Sequence, residues 1–329
     1  MKRCLGGRPL DHSLTRRVQG LLGRLPPFLQ AKILDHALDQ RMHQSFPEID
    51  PHWRLSPAPP DSNSTAIFNE RFIPLMGSGA IRSVSGIARF TESGFETDDG
   101  RNIEIDAIIF ASGYRFDYSI LSREADPTSR QTPEWDSSPH FNGLPYPWLY
   151  QTLFSTGYAD SLAFIGPCAG YTFATFKHAD LASQAIAQVW RGSFTLPSKR
   201  EMDDWCETNY RRSLGSIKSH HIPKTGSDAR KLERWLNQVA GNGLDARLGW
   251  GTEGWELWWK DRELYKLLTN GVDTPFAQRL FDGRLGSRMR WEGARRAIYR
   301  ANGRNYHGVK EVEVEGDSER VEGDATAAG

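Results

Sequence analysis

The stretch of this sequence best suited to bind a ligand is a short apolar run that ends abruptly at a glycine. Residues 107–111 form the run, Asp106 precedes it, and Ser112, Gly113 and Tyr114 follow it. An apolar run of this length predicts a strand buried on both faces, and ligands of open α/β sheets gather where such strands end. Because glycine has no Cβ, the backbone at Gly113 can turn sharply and approach a ligand closely. A core strand with a tight exit and no ligand explains the same residues equally well.

A second glycine-bearing turn offers similar chemistry further along the chain. Residues 162–165 predict another buried strand, and a turn with Gly166, Pro167 and Gly170 leads from it to a helix predicted over 173–190. A strand, a glycine turn and a helix N-terminus together present free backbone N–H groups to an anion. The alternative is a plain strand-to-helix crossover, which has no ligand in most proteins.

The one match to the dinucleotide fingerprint G-x-G-x-x-G, residues 249–254, is coincidental. The fingerprint is meaningful only after a strand within a βαβ unit, and residues 243–248 do not read as a buried strand. The bulky Trp250 also lies between the first two glycines. The sequence has no second match, so the glycine turn that normally cradles a pyrophosphate is not found in it.

No residue can be assigned a catalytic role, and no metal site is predicted. The sequence has no G-x-S-x-G elbow, and Cys168 has no histidine near it in the sequence. His220 and His221 lack a second ligand pair at zinc spacing, so we interpret them as the solvated end of a helix.

The composition excludes several classes of function. Lys plus Arg and Asp plus Glu number 41 each, so the net charge does not favour nucleic acid or an anionic membrane as a partner. The cysteines at 4, 168 and 206 are far apart, which favours a reducing compartment over a disulfide framework. No apolar run is long enough for a transmembrane anchor, and no signal peptide is recognisable. We therefore expect a cytoplasmic location.

Helices and a small ribbon are predicted around the first turn. Apolar residues at helical spacing in 14–44 predict two amphipathic helices that are separated by Pro26 and Pro27. Residues 79–104 predict a run of short antiparallel strands, starting at 80–84 and containing a tight turn at 98–100.

The remaining segments are predicted to be helical or to lie on the surface. Residues 116–148 are irregular and polar, which suits either part of a substrate-facing loop or a surface excursion, and we favour the surface excursion. Two further helices, both on the surface, are predicted at 198–212 and 228–239. Four tryptophans are expected to anchor a C-terminal helical lobe against the core; they are Trp250, Trp255, Trp258 and Trp259.

Three blocks of the sequence, in order, resemble the flavin-containing monooxygenases. IEIDAIIFASGY at 103–114 resembles the family signature D-x-x-[IV]-F-A-[TS]-G-Y. LAFIG at 162–166, with LPS at 196–198 and Met202 after it, resembles the late FAD-domain strand and the residues that follow its helix. RWEGAR at 290–295 resembles a K-W-x-G-A-R block of animal-type members.

The resemblance implies an α/β fold, specifically an incomplete two-dinucleotide-binding-domain flavoprotein with an antiparallel β-ribbon and a helical C-terminal lobe. Residues 1–115 would be the end of the NADP-binding domain with the ribbon, and 116–195 the last part of the FAD-binding domain. Residues 196–308 would form the helical lobe. Residues 309–329, which are acidic and rich in small residues, would be a disordered tail.

The family uses FAD and NADPH to oxygenate soft nitrogen or sulfur nucleophiles, including N,N-dimethylaniline. The resemblance therefore implies FAD and NADP as cofactors, a small-molecule substrate and no nucleic-acid partner. The implied cofactor-binding residues are Ser112, Gly113 and Tyr114 on the nucleotide side, and Gly166, Pro167 and Gly170 near the flavin.

Two departures from the family pattern keep a second hypothesis open. The family's glycine motifs for FAD and NADPH lie upstream of all three matched blocks, so the resemblance covers only the C-terminal portion of a full-length member. The glutamate and arginine that animal-type members place on the helix after the second strand are replaced here, where Asp180 would stand for the glutamate and Gln184 for the arginine or a nearby glutamine. The alternative is a non-catalytic remnant, or a half-protein that needs a partner chain or a homo-oligomer to supply the missing motif.

Overall fold

Helices supply most of the described structure, and every strand pair in it is antiparallel. The computed structural model describes residues 15–46, 49–53, 55, 69–111, 117–138, 143–166, 175–220, 228–283 and 288–306, and the backbone of 4–5 and 8–9. Two short strands, β1 (Cys4–Leu5) and β2 (Arg8–Pro9), pair near the N-terminus. The mixture of helix and sheet agrees with the predicted α/β class at this coarse level.

The first helices are those predicted from the proline break. Helix α1 (Arg16–Leu22) starts after Thr15, whose hydroxyl accepts a hydrogen bond from the Val18 amide at 3.3 Å. Helix α2 (Pro27–Ser45) starts with proline in its first turn, where proline's missing N–H costs nothing. Two short helical segments follow, Pro51–Trp53 and α3 (Phe72–Gly77).

A three-stranded ribbon confirms most of the predicted strand segment. Strands β3 (Ile87–Phe90), β4 (Gly94–Thr97) and β5 (Asn102–Glu104) pair in sequence order. The predicted turn is present, and Gly100 adopts φ +81° there, which glycine tolerates at no steric cost. The strand predicted at 80–84 is not formed, because the chain there leaves α3 in turns and bends.

The main hydrophobic core is built by α5 (Thr175–Trp190), α6 (Lys199–His220) and α7 (Ala229–Ala240). These helices confirm the positions of the three predicted ones, but the prediction that α6 and α7 lie on the surface is wrong, because both contribute buried side chains such as Ile217 and Leu236 to the core. Helix α7 has local signals at both ends, since Asp228 accepts hydrogen bonds from two backbone amides and Gly241 ends the helix at φ +64°. The core also holds the hairpin of β6 (Leu149–Tyr150) and β7 (Phe154–Ser155).

The prediction that residues 116–148 form a surface excursion is wrong for their second half. Trp135, within α4 (Pro133–Asp136), and Tyr146 are fully buried, with ring centroids 5.2 Å apart. The polar atoms of both rings are satisfied: Trp135 Nε1 donates to the Leu144 carbonyl at 2.9 Å, and Asn209 Nδ2 donates to the Tyr146 hydroxyl at 2.9 Å. Once these atoms are paired, burial of the large rings is favourable.

A second, smaller core lies in the C-terminal lobe. It unites α8 (Leu244–Leu248), α9 (Thr252–Lys260), α10 (Arg262–Asn270), the 3-10 helix Pro275–Arg279 and α11 (Ala294–Ala301). Leu264, Leu268 and Ile298 fill it. The tryptophans predicted to anchor this lobe do not, because Trp250, Trp255 and Trp259 are exposed and Trp258 is only partly buried. Mainly aliphatic side chains therefore fill this core, where the tryptophan rings were expected.

Candidate functional site

The first predicted turn follows a segment that is neither a strand nor buried. Strand β5 ends at Glu104, and residues 105–111 continue without regular structure. Ile109 and Phe110 are 91% and 74% exposed. The buried-strand prediction is wrong for this structure, because a strand buried on both faces needs neighbouring strands and covering layers, and the described residues supply neither here. Residues 112–116, with Ser112, Gly113 and Tyr114, lie outside the described residues.

The second predicted turn begins at Gly166, which adopts φ +112°. A Cβ placed on it would meet no heavy atom within 4 Å, so the backbone here is open to an approaching group. The predicted strand at 162–165 is reduced to a single antiparallel bridge between Ala163 and Phe154. Its neighbouring hydrogen bond runs from the Phe164 amide to the Leu153 carbonyl at 2.7 Å. Pro167 and Gly170 lie outside the described residues.

A strained hairpin turn lies beside this segment, and no residue pattern in the sequence predicts it. Gln151 and Thr152 both adopt positive φ, +48° and +60°, where neither a glycine nor an asparagine marks the turn. Thr152 is buried, and its hydroxyl has no hydrogen-bond partner among the described residues. The adjoining Leu153 carbonyl is the one that pairs with Phe164. The strain therefore lies directly next to the strand remnant that leads to Gly166.

Helix α5, which follows the second turn, is fixed to the C-terminal lobe through Asp180. The Asp180 carboxylate accepts a hydrogen bond from Arg279 Nε at 3.1 Å and pairs with Arg279 Nη2 as well. Gln184 Nε2 donates to the same carboxylate at 2.9 Å. The hydrogen bond and charge of Asp180 raise the pKa of Arg279. The Asp180 carboxylate is therefore engaged by both Gln184 and Arg279.

A largely buried charge cluster fixes the same helix on another side. Lys177 Nζ lies 2.7 Å from Glu233 Oε1 and 2.5 Å from Asp273 Oδ2, and Arg16 Nη2 lies 2.8 Å from Asp273 Oδ1. Burial would raise the pKa of Asp273, but the charges of Arg16 and Lys177 outweigh it and lower that pKa. Burial lowers the pKa of the neighbouring His178. Sequence reasoning missed this cluster because its members are separated by 56 and 96 residues.

The glycines of the coincidental fingerprint serve helix packing. Gly249 and Gly251 lie between α8 and α9, and Gly254 lies in the first turn of α9, so a helix precedes the three glycines where a strand would be needed. A Cβ on Gly254 would lie 2.0 Å from the carbonyl oxygen of Gly249, whereas a Cβ on Gly251 would meet nothing within 4 Å. The backbone of α9 at Gly254 contacts the backbone that follows α8, and a side chain larger than that of glycine would not fit between them.

Other kinds of site are not found in the part of the chain that the structure describes. No three His, Cys, Asp or Glu side chains there are grouped to hold a metal ion. No helix there combines the length and apolarity needed to span a bilayer. Cys206 is buried, and its burial raises the thiol pKa to about 12, so this thiol is not a reactive nucleophile.

The described residues fit only one edge of a dinucleotide cofactor. A pyrophosphate needs a strand, a glycine turn and a helix N-terminus in succession, and residues 249–254 do not provide that order. Gly166 is the one predicted cofactor contact within the described ranges, and it is open to solvent. A complete FAD or NADP cradle is therefore not formed by these residues alone.

Comparisons with known proteins agree with the sequence blocks. The family model described as flavin-binding monooxygenase-like matches residues 1–325. Monooxygenase aurF of Gibberella zeae is 35% identical over 304 residues, which cover 91% of this chain and 57% of that protein. Human flavin-containing monooxygenase 5 is 26% identical over 200 residues, covering 60% and 33% of the two chains. Human flavin-containing monooxygenase 3 is 31% identical over 138 residues, covering 41% and 23%.

These matches have two consequences. The chain spans little more than half the length of the aurF protein, and the regions of it that align with the two human proteins cover a third or less of each. The matched family binds flavin and depends on NADPH, which confirms FAD and NADP as the family's cofactors.

Proposed function

Because the chain belongs to the flavin-binding monooxygenase-like family, we propose that it forms the C-terminal portion of a flavin-dependent, NADPH-using monooxygenase. Its substrate would be a small molecule with a soft nitrogen or sulfur nucleophile. The single observation that carries this proposal is the family match along nearly the whole chain, supported by 35% identity to monooxygenase aurF. On this proposal, residues 1–115 and 116–195 are the ends of two dinucleotide-binding domains and 196–308 form their helical lobe.

The bound flavin supplies the oxygen chemistry, while the protein supplies binding, orientation and exclusion of water. In this chain the orienting element is α5, which Lys177 fixes to α7 and Asp180 fixes to the 3-10 helix. Gly166, where the turn starts, would lie against the flavin, since it carries no side chain to keep a ring away. Ser112, Gly113 and Tyr114 would line the nucleotide side, and Pro167 and Gly170 would complete the flavin side.

Calorimetric titration of the full chain with FAD tests the proposal. We expect weak, saturable binding, because the missing pyrophosphate cradle removes several charge-assisted hydrogen bonds of about 1.5–3 kcal/mol each, which lowers affinity by several powers of ten. Binding below about one micromolar at one site per chain would mean that an unrecognised cradle exists.

A pair of glycine variants locates the weak flavin site. Gly166→Ala places a Cβ on a backbone at φ +112°, so it should weaken binding of FAD and of riboflavin. Gly157→Ala is the matched control, because its Cβ also meets nothing within 4 Å but its φ is ordinary. Equal affinities in the two variants, with unchanged melting temperatures, would remove Gly166 from the site.

A further inference from the structure

Helix α9 carries a row of exposed tryptophans. Trp255 and Trp259 stand four residues apart, which places them on one face of the helix, and they are 55% and 81% exposed. The partly buried Trp258 joins them, since its ring centroid lies 5.7 Å from that of Trp255 and 6.0 Å from that of Trp259. We name these three residues the indole row. A contiguous exposed aromatic surface usually marks an interaction site.

The inner side of α9 fixes the orientation of the indole row. Gly254 contacts the backbone that follows α8, and Leu257 packs against the second core. The guanidinium of Arg262, at the start of α10, lies over the Trp258 ring at 5.1 Å from its centroid. The row is therefore held in place before any partner binds, which lowers the entropy cost of association.

The outer face of α9 also carries charges of opposite sign toward its two ends. Glu253 and Glu256 lie toward the N-terminus of the helix, and Lys260 is its last residue. All three side chains are more than half exposed, and Lys260 Nζ lies 2.5 Å from Glu256 Oε1 within the helix. An antiparallel copy of α9 would place its Lys260 beside Glu256 and its Glu256 beside Lys260. The charge pattern is therefore self-complementary.

The exposed indole area is large enough for a stable dimer. A fully exposed tryptophan offers up to about 250 Å². Trp255 and Trp259, together with Trp250, which is 84% exposed two residues before the helix, therefore offer about 550 Å² per chain. Two copies would bury about 1,100 Å² from these rings alone, and a specific interface needs about 1,000 Å². Tryptophan is also among the residues that dominate the binding energy of interfaces.

We propose that two copies of this chain form a twofold dimer through antiparallel pairing of α9, with the indole rows in contact and Glu256 of each copy beside Lys260 of the other. An antiparallel pair sets the indole side of one helix against the indole side of the other, whereas a parallel pair would set each indole row against charges. The inference does not rest on the proposed function, because it uses none of the predicted cofactor contacts.

Sedimentation of the full chain over a range of concentrations tests the dimer. We expect a reversible equilibrium between monomer and dimer. Trp259→Gln should raise the dissociation constant of the dimer by about tenfold or more, because it removes a large ring from the centre of the interface. Ile120→Gln is the matched control, since Ile120 is 91% exposed but lies outside the C-terminal lobe, and it should leave the dissociation constant unchanged.

An exchange of charges tests the antiparallel geometry. Glu256→Lys and Lys260→Glu should each weaken the dimer by about tenfold or more, because like charges would then face each other twice across the twofold axis. A mixture of the two variants should form a heterodimer, since opposite charges are restored at both contacts. Different affinity tags on the two variants allow the heterodimer to be isolated and weighed.

A chain that stays monomeric at every concentration would overturn the inference, and so would a dimer that Trp259→Gln leaves unchanged. Failure of the mixed charge variants to associate would rule out antiparallel pairing. Binding of a monomeric chain to phosphatidylcholine vesicles, lost in Trp259→Gln, would assign the indole row to a lipid surface instead. These substitutions lie at exposed positions, so the melting temperature of the monomer should not change. If Trp259→Gln lowers it, Trp255→Gln replaces that variant with the same expected result.

Discussion

Replacing Gly254 with alanine tests whether the fingerprint glycines hold helices together or hold a cofactor. The added Cβ would lie 2.0 Å from the carbonyl oxygen of Gly249 and 3.0 Å from its carbonyl carbon. In a helix interior, alanine increases the free energy of unfolding by about 1 kcal/mol relative to glycine. Overpacking usually costs about 1–3 kcal/mol, and the upper end applies here because a backbone carbonyl cannot swing aside. The net expectation is a loss of about 2 kcal/mol in the free energy of unfolding.

Denaturant unfolding and flavin titration of two variants provide the measurement. Gly251→Ala is the control, since its Cβ meets nothing within 4 Å, and because Gly251 is the N-cap of α9 it should lower the free energy of unfolding by no more than about 1 kcal/mol. Neither variant should alter FAD affinity while folded. An unchanged stability for Gly254→Ala would refute the packing argument. A drop of about tenfold or more in FAD affinity for Gly251→Ala would show that the glycines do bind the cofactor.

Two further predictions concern the charge cluster on α5. Lys177→Met should lower the free energy of unfolding by about 3 kcal/mol, because it leaves two largely buried carboxylates with Arg16 as their one remaining cation. The control is Lys199→Met, which breaks an exposed pair with Asp203 and should lower the free energy of unfolding by no more than about 0.5 kcal/mol. His178 has a pKa below its ordinary value of 6.5 because it is buried, beside Glu233 and Lys177. The unfolded chain therefore binds the proton first, so stability should fall as pH drops below about 6.5; His178→Gln should flatten that slope, and an unchanged slope would contradict the assignment.

Elements with signals in their own sequence could be predicted. The proline pair separated α1 from α2, the turn at 98–100 closed the ribbon, and the cap residues of α7 stand at its two ends. Each of these signals acts within a few residues, through a fixed φ, a missing N–H or a side chain that reaches the nearest amides. Such signals do not depend on what the rest of the chain does.

Long-range features could not be predicted in the same way. Lys177 and Asp273 meet only because α5 packs beside the loop before the 3-10 helix. Trp135 is buried because Leu144 and Tyr146 return to it after a turn, whereas Trp250 is exposed because leucines already fill the second core. Residue type alone cannot distinguish these two tryptophans. The positions of the partners decide which ring is covered.

The apolar run at 107–111 is a segment whose residue pattern predicts an environment that differs from the one observed. Its residues specify an environment, a parallel sheet covered on both faces, that the described chain does not provide, and so the run lies exposed beside the ribbon. The main core differs, because its aromatic rings are buried and the charges of Lys177 and Asp180 on α5 are paired. Contacts within the described residues therefore hold the main core together, whereas the described residues bury no part of the apolar run. Unfolding of the isolated chain should therefore report the main core.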